Sequence, residues 1–221
     1  MTNVHPESRK EFQLERLILF TDAVFAIAIT LLIIEIKVPE LRGDEATEGA
    51  LISYLAHLIP RFAGFFISFM LIGMYWTRHH FLFGFVTDYT PKLIWLNMMF
   101  LLSIVLMPFS TGFFGEYSTP STIHLKTPLI FYVGNICFTG SMLYLLWRYI
   151  GDPKSGVASP ALTPDIVRDA KQRALIVSLV FGLTIGVALI DPFASRYFPL
   201  LTPLFLRLAK RITHRAPSHP D

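Results

Sequence analysis

The stretch RLILFTDAVFAIAITLLIIEI, residues 16–36, decides how the whole chain is read. It is apolar almost throughout and long enough to qualify as a membrane span, since about 20 mainly apolar residues cross the hydrocarbon core of a bilayer. Asp22 nevertheless sits inside it, near one end. An intramembrane carboxylate costs about 2.5–3.5 kcal/mol on insertion scales, so it has to find a partner in protein.

The rest of the chain agrees with a lipid environment. Of 221 residues, 53% are apolar and only 16% charged, where a soluble domain carries about 25% charge. One cysteine, Cys137, excludes an internal disulfide framework and any multi-cysteine metal site. The polar start MTNVHPESRKEF precedes a span without an A-x-A type cleavage site, so the first span reads as retained. Six stretches are candidate spans: 14–36, 52–77, 93–114, 127–149, 172–190 and 193–209. The last is interrupted by Arg196, Pro199 and Pro203. Thr163, Pro164 and Asp165 form a helix start ahead of the fifth, as a cap, a first-turn proline and an acid at the positive end of the dipole. The expected organisation is an N-terminus at 1–13, a six-helix domain at 14–209 and a tail at 210–221. The Pro-, Gly- and Ser-rich linker 151–165 reads as a mobile connector.

Charge sets the orientation. Arg9, Lys10, Arg16, Arg78, Lys92, Arg148 and eight further Lys/Arg fall on the side of the two termini. Lys37, Arg42, Lys126 and Arg196 fall on the other, with Arg61 near it. This positive-inside bias places both termini in the cytoplasm. The fold class is therefore an all-α membrane protein of six transmembrane helices.

At 100° per residue, Phe20, Ile27, Leu31 and Ile34 share one face of the first helix, with Thr30 beside them. Asp22 lies about 140° from Ile27, alongside Ala26, Ile29 and Ile33. Such a stripe serves packing or lipid contact more often than a pore. Arg16 diverges from Asp22 by about 240° and is not its intrahelical partner. The second span runs the opposite way, so YWTRHHFLF (75–83) returns to the level of Asp22. A His or Arg there, together with the indole N–H of Trp76, can hold the carboxylate. Arg61 is expected at the outer interface, snorkelling or paired with Glu35 or Glu40. Gly64, Gly73, Gly134, Gly140, Gly182 and Gly186 are expected at close helix contacts. No T-V-G-Y-G filter, H-E-x-x-H, Walker A or G-x-S-x-G is present, and nothing marks an enzyme or a nucleic-acid binder.

R-L-I-L-F-T-D at 16–22 resembles the R-x-x-x-F-S-D signature of the transmembrane protein 175 family, with Thr21 in place of the usual Ser. W-T-R-H at 76–79 is similar to that family's W-x-x-H at the end of the second helix. The resemblance implies a potassium-selective channel without a carbonyl filter, needing no cofactor beyond the permeant K+. It implies a homotetramer, each chain with three identical partners, in which the first helix lines a central pore. It places Ile27 at the constriction, Thr30 at a nearby hydroxyl position, and Leu31 and Ile34 in further apolar layers. Arg16, Phe20, Thr21, Asp22, Trp76 and His79 become a network clamping the first helix to the second. The single six-helix repeat points to a bacterial protein of the inner membrane. Two rivals remain open. One is a proton-coupled transporter using Asp22 and His79 as a titrating pair, or else a channel that also passes protons. The other is a scaffold or a metalloenzyme using His79 and His80.

Overall fold

The computed structural model describes residues 6–38, 40–41, 43, 47–119 and 121–191. Six α-helices follow one another: α1 Pro6–Ile34, α2 Glu48–Phe83, α3 Pro91–Val105, α4 Met107–Glu116, α5 Thr127–Ile150 and α6 Pro164–Ile190. Local sequence explains their starts. Thr47, Thr90 and Thr163 each accept a hydrogen bond from a backbone N–H three residues on, and Pro91 and Pro164 follow two of these caps directly. α3 and α4 form one rod. It breaks at Leu106, where Pro108 removes an N–H and crowds the carbonyl four residues back.

Five rods are long and apolar enough to cross a membrane: 10–34, 48–83, 91–116, 127–150 and 164–188. These are the first five expected spans, with α2 much longer than its sequence suggests. Its 36 residues extend about 54 Å at 1.5 Å per residue, beyond a hydrocarbon core of about 30 Å. The sixth expected span, 193–209, lies outside the described residues, as do residues 1–5 of the N-terminal segment and the tail 210–221.

α3 packs between α1 and α5, burying Leu93, Phe100, Leu101 and Ile104 on one side. α1 packs on α2, α3 and α4, and α6 packs chiefly on α5. The core-facing side of α1 carries Leu14, Thr21, Phe25, Ala28 and Leu32, spaced by seven, four, three and four residues as one helical stripe requires. This is a third face, lying between the two read from the sequence. Because the helix is apolar nearly all round, periodicity alone does not single it out. Buried hydroxyls and amides find partners across helices. Thr111 donates to Ser68 at 2.7 Å, Ser68 and Tyr132 bond at 2.9 Å, and Asn135 donates to the Ser103 carbonyl at 3.1 Å.

Three expectations are corrected. Arg61 pairs with Glu116 of α4 at 2.6 Å, not with Glu35 or Glu40, because α2 and α4 lie side by side and bring the two residues level. Of the six glycines, Gly140 is a tight contact, where an added methyl would run into the Ser178 hydroxyl, and Gly64 is an ordinary one. Gly73, Gly134, Gly182 and Gly186 face open space within the chain. The linker 151–165 is docked, not a loose connector. Val157 is buried, Thr87 N–H donates to the Val157 carbonyl at 2.9 Å, and Ser159 N–H donates to the Phe85 carbonyl at 2.8 Å. These bonds satisfy backbone groups that the Pro- and Gly-rich composition leaves out of helices.

The turn that holds this linker also ties down the base of α1, where Lys10 donates to the Asp88 carboxylate at 2.7 Å. The Lys10 ammonium and the Tyr89 backbone N–H hold the Asp88 carboxyl below the usual carboxylate range. A carboxyl with a depressed folded value contributes above its unfolded pKa and loses that contribution as pH falls through the folded value. A thermal double-mutant cycle with Lys10→Ala and Asp88→Ala is therefore expected to give a small positive coupling at neutral pH. That coupling should vanish below the carboxylate range and shrink in high salt, since the pair is exposed. Coupling that persists in acid would show that charge is not what joins these residues.

Candidate functional site

Asp22 finds its partner across the α1–α2 boundary. Trp76 Nε1 donates to Asp22 Oδ1 at 2.9 Å. Antiparallel helices bring the two residues to the same level, and the indole supplies a donor without adding a charge. His80, one turn further along α2, stacks on the Trp76 ring with centroids 5.4 Å apart.

His79 does not bond Asp22. Its Nε2 lies 2.8 Å from Asn97 Oδ1, and Asn97 Nδ2 donates to Thr21 Oγ1 at 2.9 Å. Thr21 spends its own proton on the Leu17 carbonyl at 2.9 Å. That assigns the proton order of the chain. With the Thr21 hydrogen committed, Asn97 must donate through its NH2, so its oxygen accepts and His79 Nε2 carries a hydrogen. The imidazole lies between Phe83, 4.0 Å away at 23°, and Phe100, 5.2 Å away at 4°, and is 2% exposed. This is a structural setting: an aromatic cage with a neutral amide as the polar partner. It separates the two groups that a titrating Asp22–His79 pair would need in direct contact. His79 and His80 also point to different surroundings, so they do not converge on a metal.

Of the six motif residues, Thr21, Asp22, Trp76 and His79 therefore meet in one clamp between α1, α2 and α3. Arg16 and Phe20 stand outside it. Both are exposed, and the Arg16 guanidinium lies 5.8 Å from the Phe12 ring of its own helix. Asn97, the bridge that joins Thr21 to His79, is not among the residues expected from the sequence. Its signal is a lone amide in the apolar run LIWLNMMFLL, where a buried polar side chain has to bond across helices.

The stripe on α1 points away from this clamp. Ile27 is 58% and Ile34 68% exposed, with Leu31 exposed beside them. Thr30 is exposed by its side, and its hydroxyl turns its hydrogen onto the carbonyls of Ile27 at 2.8 Å and Ala26 at 3.1 Å. What Thr30 presents outward is an oxygen with free lone pairs. No charged side chain occurs in α1 between Asp22 and its C-terminal end at Ile34.

Comparison with known proteins gives these features a family. The model for the endosomal/lysosomal potassium channel TMEM175 matches residues 16–108, a segment that contains every residue of the clamp. A potassium channel of Streptomyces collinus is 31% identical over 177 residues, spanning 78% of this chain and 81% of that one. This chain belongs to the TMEM175 family. The crystal structure of a lysosomal potassium-selective channel TMEM175 homolog from Chamaesiphon minutus superposes with a TM-score of 0.71. It is 25% identical and covers 87% of this chain and 96% of that chain. The chicken endosomal/lysosomal proton channel TMEM175 is 36% identical over 111 residues, which are 48% of this chain and 22% of that one.

Proposed function

We propose that this TMEM175 protein is a potassium channel whose pore is lined by α1. The observation that carries the reading is the exposed, uncharged stripe of Ile27, Leu31 and Ile34, on a helix whose core-facing side packs into the bundle and whose Asp22 is held by Trp76. Relatives named as potassium channels support the permeant ion. In this reading four chains surround one axis, each supplying α1, with both termini in the cytoplasm and the protein in the inner membrane.

A ring of Ile27 side chains closes the path by dewetting, because an ion entering it sheds water and receives no oxygen in return. Opening widens the ring until a partly hydrated cation fits. Potassium holds its water less tightly than sodium, so the ring favours it modestly, and Thr30 adds an oxygen to the ion's shell. The Thr21–Asn97–His79 chain and the Asp22–Trp76 bond act at a distance, fixing the position of α1. The relatives named as proton channels favour a second reading, in which protons share the path.

Proteoliposomes containing the purified chain test both. Potassium flux above sodium flux is expected, saturating weakly and needing no pH gradient. Equal flux of the two ions would overturn the selectivity, and strictly pH-driven uptake would turn the protein into a coupled transporter. Acidification of the lumen under a potassium-free gradient would establish the proton path.

A further inference from the structure

A guanidinium half-buried among helices with no carboxylate beside it calls for an anion from elsewhere. Arg78 of α2 is such a group: among the described residues no ion pair or hydrogen bond holds its side chain. It lies three residues beyond Tyr75, where α2, α5 and α6 converge. A methyl built on Gly140 of α5 would stand 3.5 Å from the Tyr75 hydroxyl and 3.6 Å from the Ala174 carbonyl of α6. Arg173, the residue before Ala174, is within electrostatic reach of Arg78 and has the same sign. Asp169 precedes Arg173 by one helical turn, yet among the described residues the two form no ion pair; the acid that does pair on α6 is Asp165, with Arg168 at 2.7 Å.

Two guanidinium groups within electrostatic reach of each other, neither paired with an acid among the described residues, form a donor set that suits a phosphate, which accepts paired N–H bonds. Their depth points to the source. Arg78 lies five residues before the end of α2 and Arg173 nine after the start of α6, so both sit near the boundary of their spans, at the end that positive-inside bias assigns to the cytoplasm. Basic pockets between helices on that side suit anionic lipid headgroups.

We propose that Arg78 and Arg173 hold the phosphate of an anionic phospholipid from the cytoplasmic leaflet, where Tyr75 of α2 and Ala174 of α6 meet across Gly140 of α5. The side of the membrane rests on the orientation proposed for the channel, whereas binding itself does not depend on conduction. Full-length protein in neutral detergent would be titrated with phosphatidylglycerol, phosphatidylcholine or millimolar inorganic phosphate, following thermal stability and lipid retention by native mass spectrometry. Phosphatidylglycerol is expected to raise the midpoint and be retained, with phosphatidylcholine inert. Arg78→Gln and Arg173→Gln should each weaken the apparent affinity about tenfold, while Arg148→Gln, an exposed arginine at the end of α5, stays within about twofold. Arg173 is exposed, so its variant keeps the test decisive if Arg78→Gln fails to fold. Equal loss in all three variants would reduce the effect to general surface charge and overturn the site. So would inorganic phosphate reproducing the whole shift with no added response to lipid. Retained lipid in a protein that passes no potassium would sink the channel reading and leave this site standing.

Discussion

Ile27→Asn is expected to raise basal potassium flux at least several-fold in proteoliposomes and to bring the potassium-to-sodium preference close to one. Ile27 is 58% exposed on the side of α1 turned away from the bundle, so the substitution leaves the packed core alone. In the fourfold ring proposed above it replaces apolar side chains with amide oxygens that can take the place of shed water. Both effects follow from that exchange: the dewetting barrier falls, and the difference in dehydration cost between the two cations matters less. Each tenfold change in rate corresponds to about 1.4 kcal/mol of barrier. A single well-placed polar group is worth about 1–3 kcal/mol, so a change of several-fold to a hundredfold is within reach. Ile33→Asn is the control. Ile33 is 47% exposed but about 120° further round the helix, on the side of Asp22. Flux that responds to Ile33 and ignores Ile27 would mean that a different face of α1 meets the ions.

How much of this was legible in the sequence depends on whether a residue's demand was local. Asp22 in an apolar span announces the need for a partner, and the reversed direction of the next span puts Trp76 at its level, so residue order alone is enough to read this contact. The start of α6 is readable for the same reason, because Thr163, Pro164 and Asp165 act on backbone groups within one turn. The core-facing stripe of Thr21, Phe25, Ala28 and Leu32 was not readable, since an all-apolar helix offers several equivalent faces and tertiary fit chooses among them. Asn97 was missed because its partners, Thr21 and His79, are 76 and 18 residues away. Arg61 had three acids on the same side within chemical reach, and only the packing of α2 on α4 selects Glu116. The docked linker shows the same limit from the other direction. Its composition describes what the chain tolerates, whereas its order comes from three backbone bonds to the turn after α2.

Asn97→Leu is expected to cause the largest loss of stability among single changes in the clamp, about 1–3 kcal/mol, read as a lower unfolding midpoint of the purified protein. Leucine keeps the branched outline of asparagine and is somewhat larger, so no cavity opens. Two hydrogen bonds disappear, those to Thr21 at 2.9 Å and to His79 at 2.8 Å. Interhelical hydrogen bonds in membrane proteins average only about 0.6 kcal/mol each, and on that basis the change would be mild. The decisive effect is the group left behind. His79 stays buried between Phe83 and Phe100 with an N–H and no acceptor, and an orphaned buried donor costs about 1–3 kcal/mol. Thr21 suffers less, because its hydroxyl keeps the Leu17 carbonyl. Removing both polar partners should then be better than removing one. Asn97→Leu combined with His79→Phe places a third phenyl ring in the aromatic cage and is expected to recover most of the lost midpoint. Simple addition of the two single losses would contradict the hydrogen-bond chain and make each residue an independent packing contact. Recovery of stability accompanied by unchanged potassium flux would show that this chain holds α1 in place by fit alone, while recovery with altered flux would mean that the polar link also sets where α1 meets the pore axis.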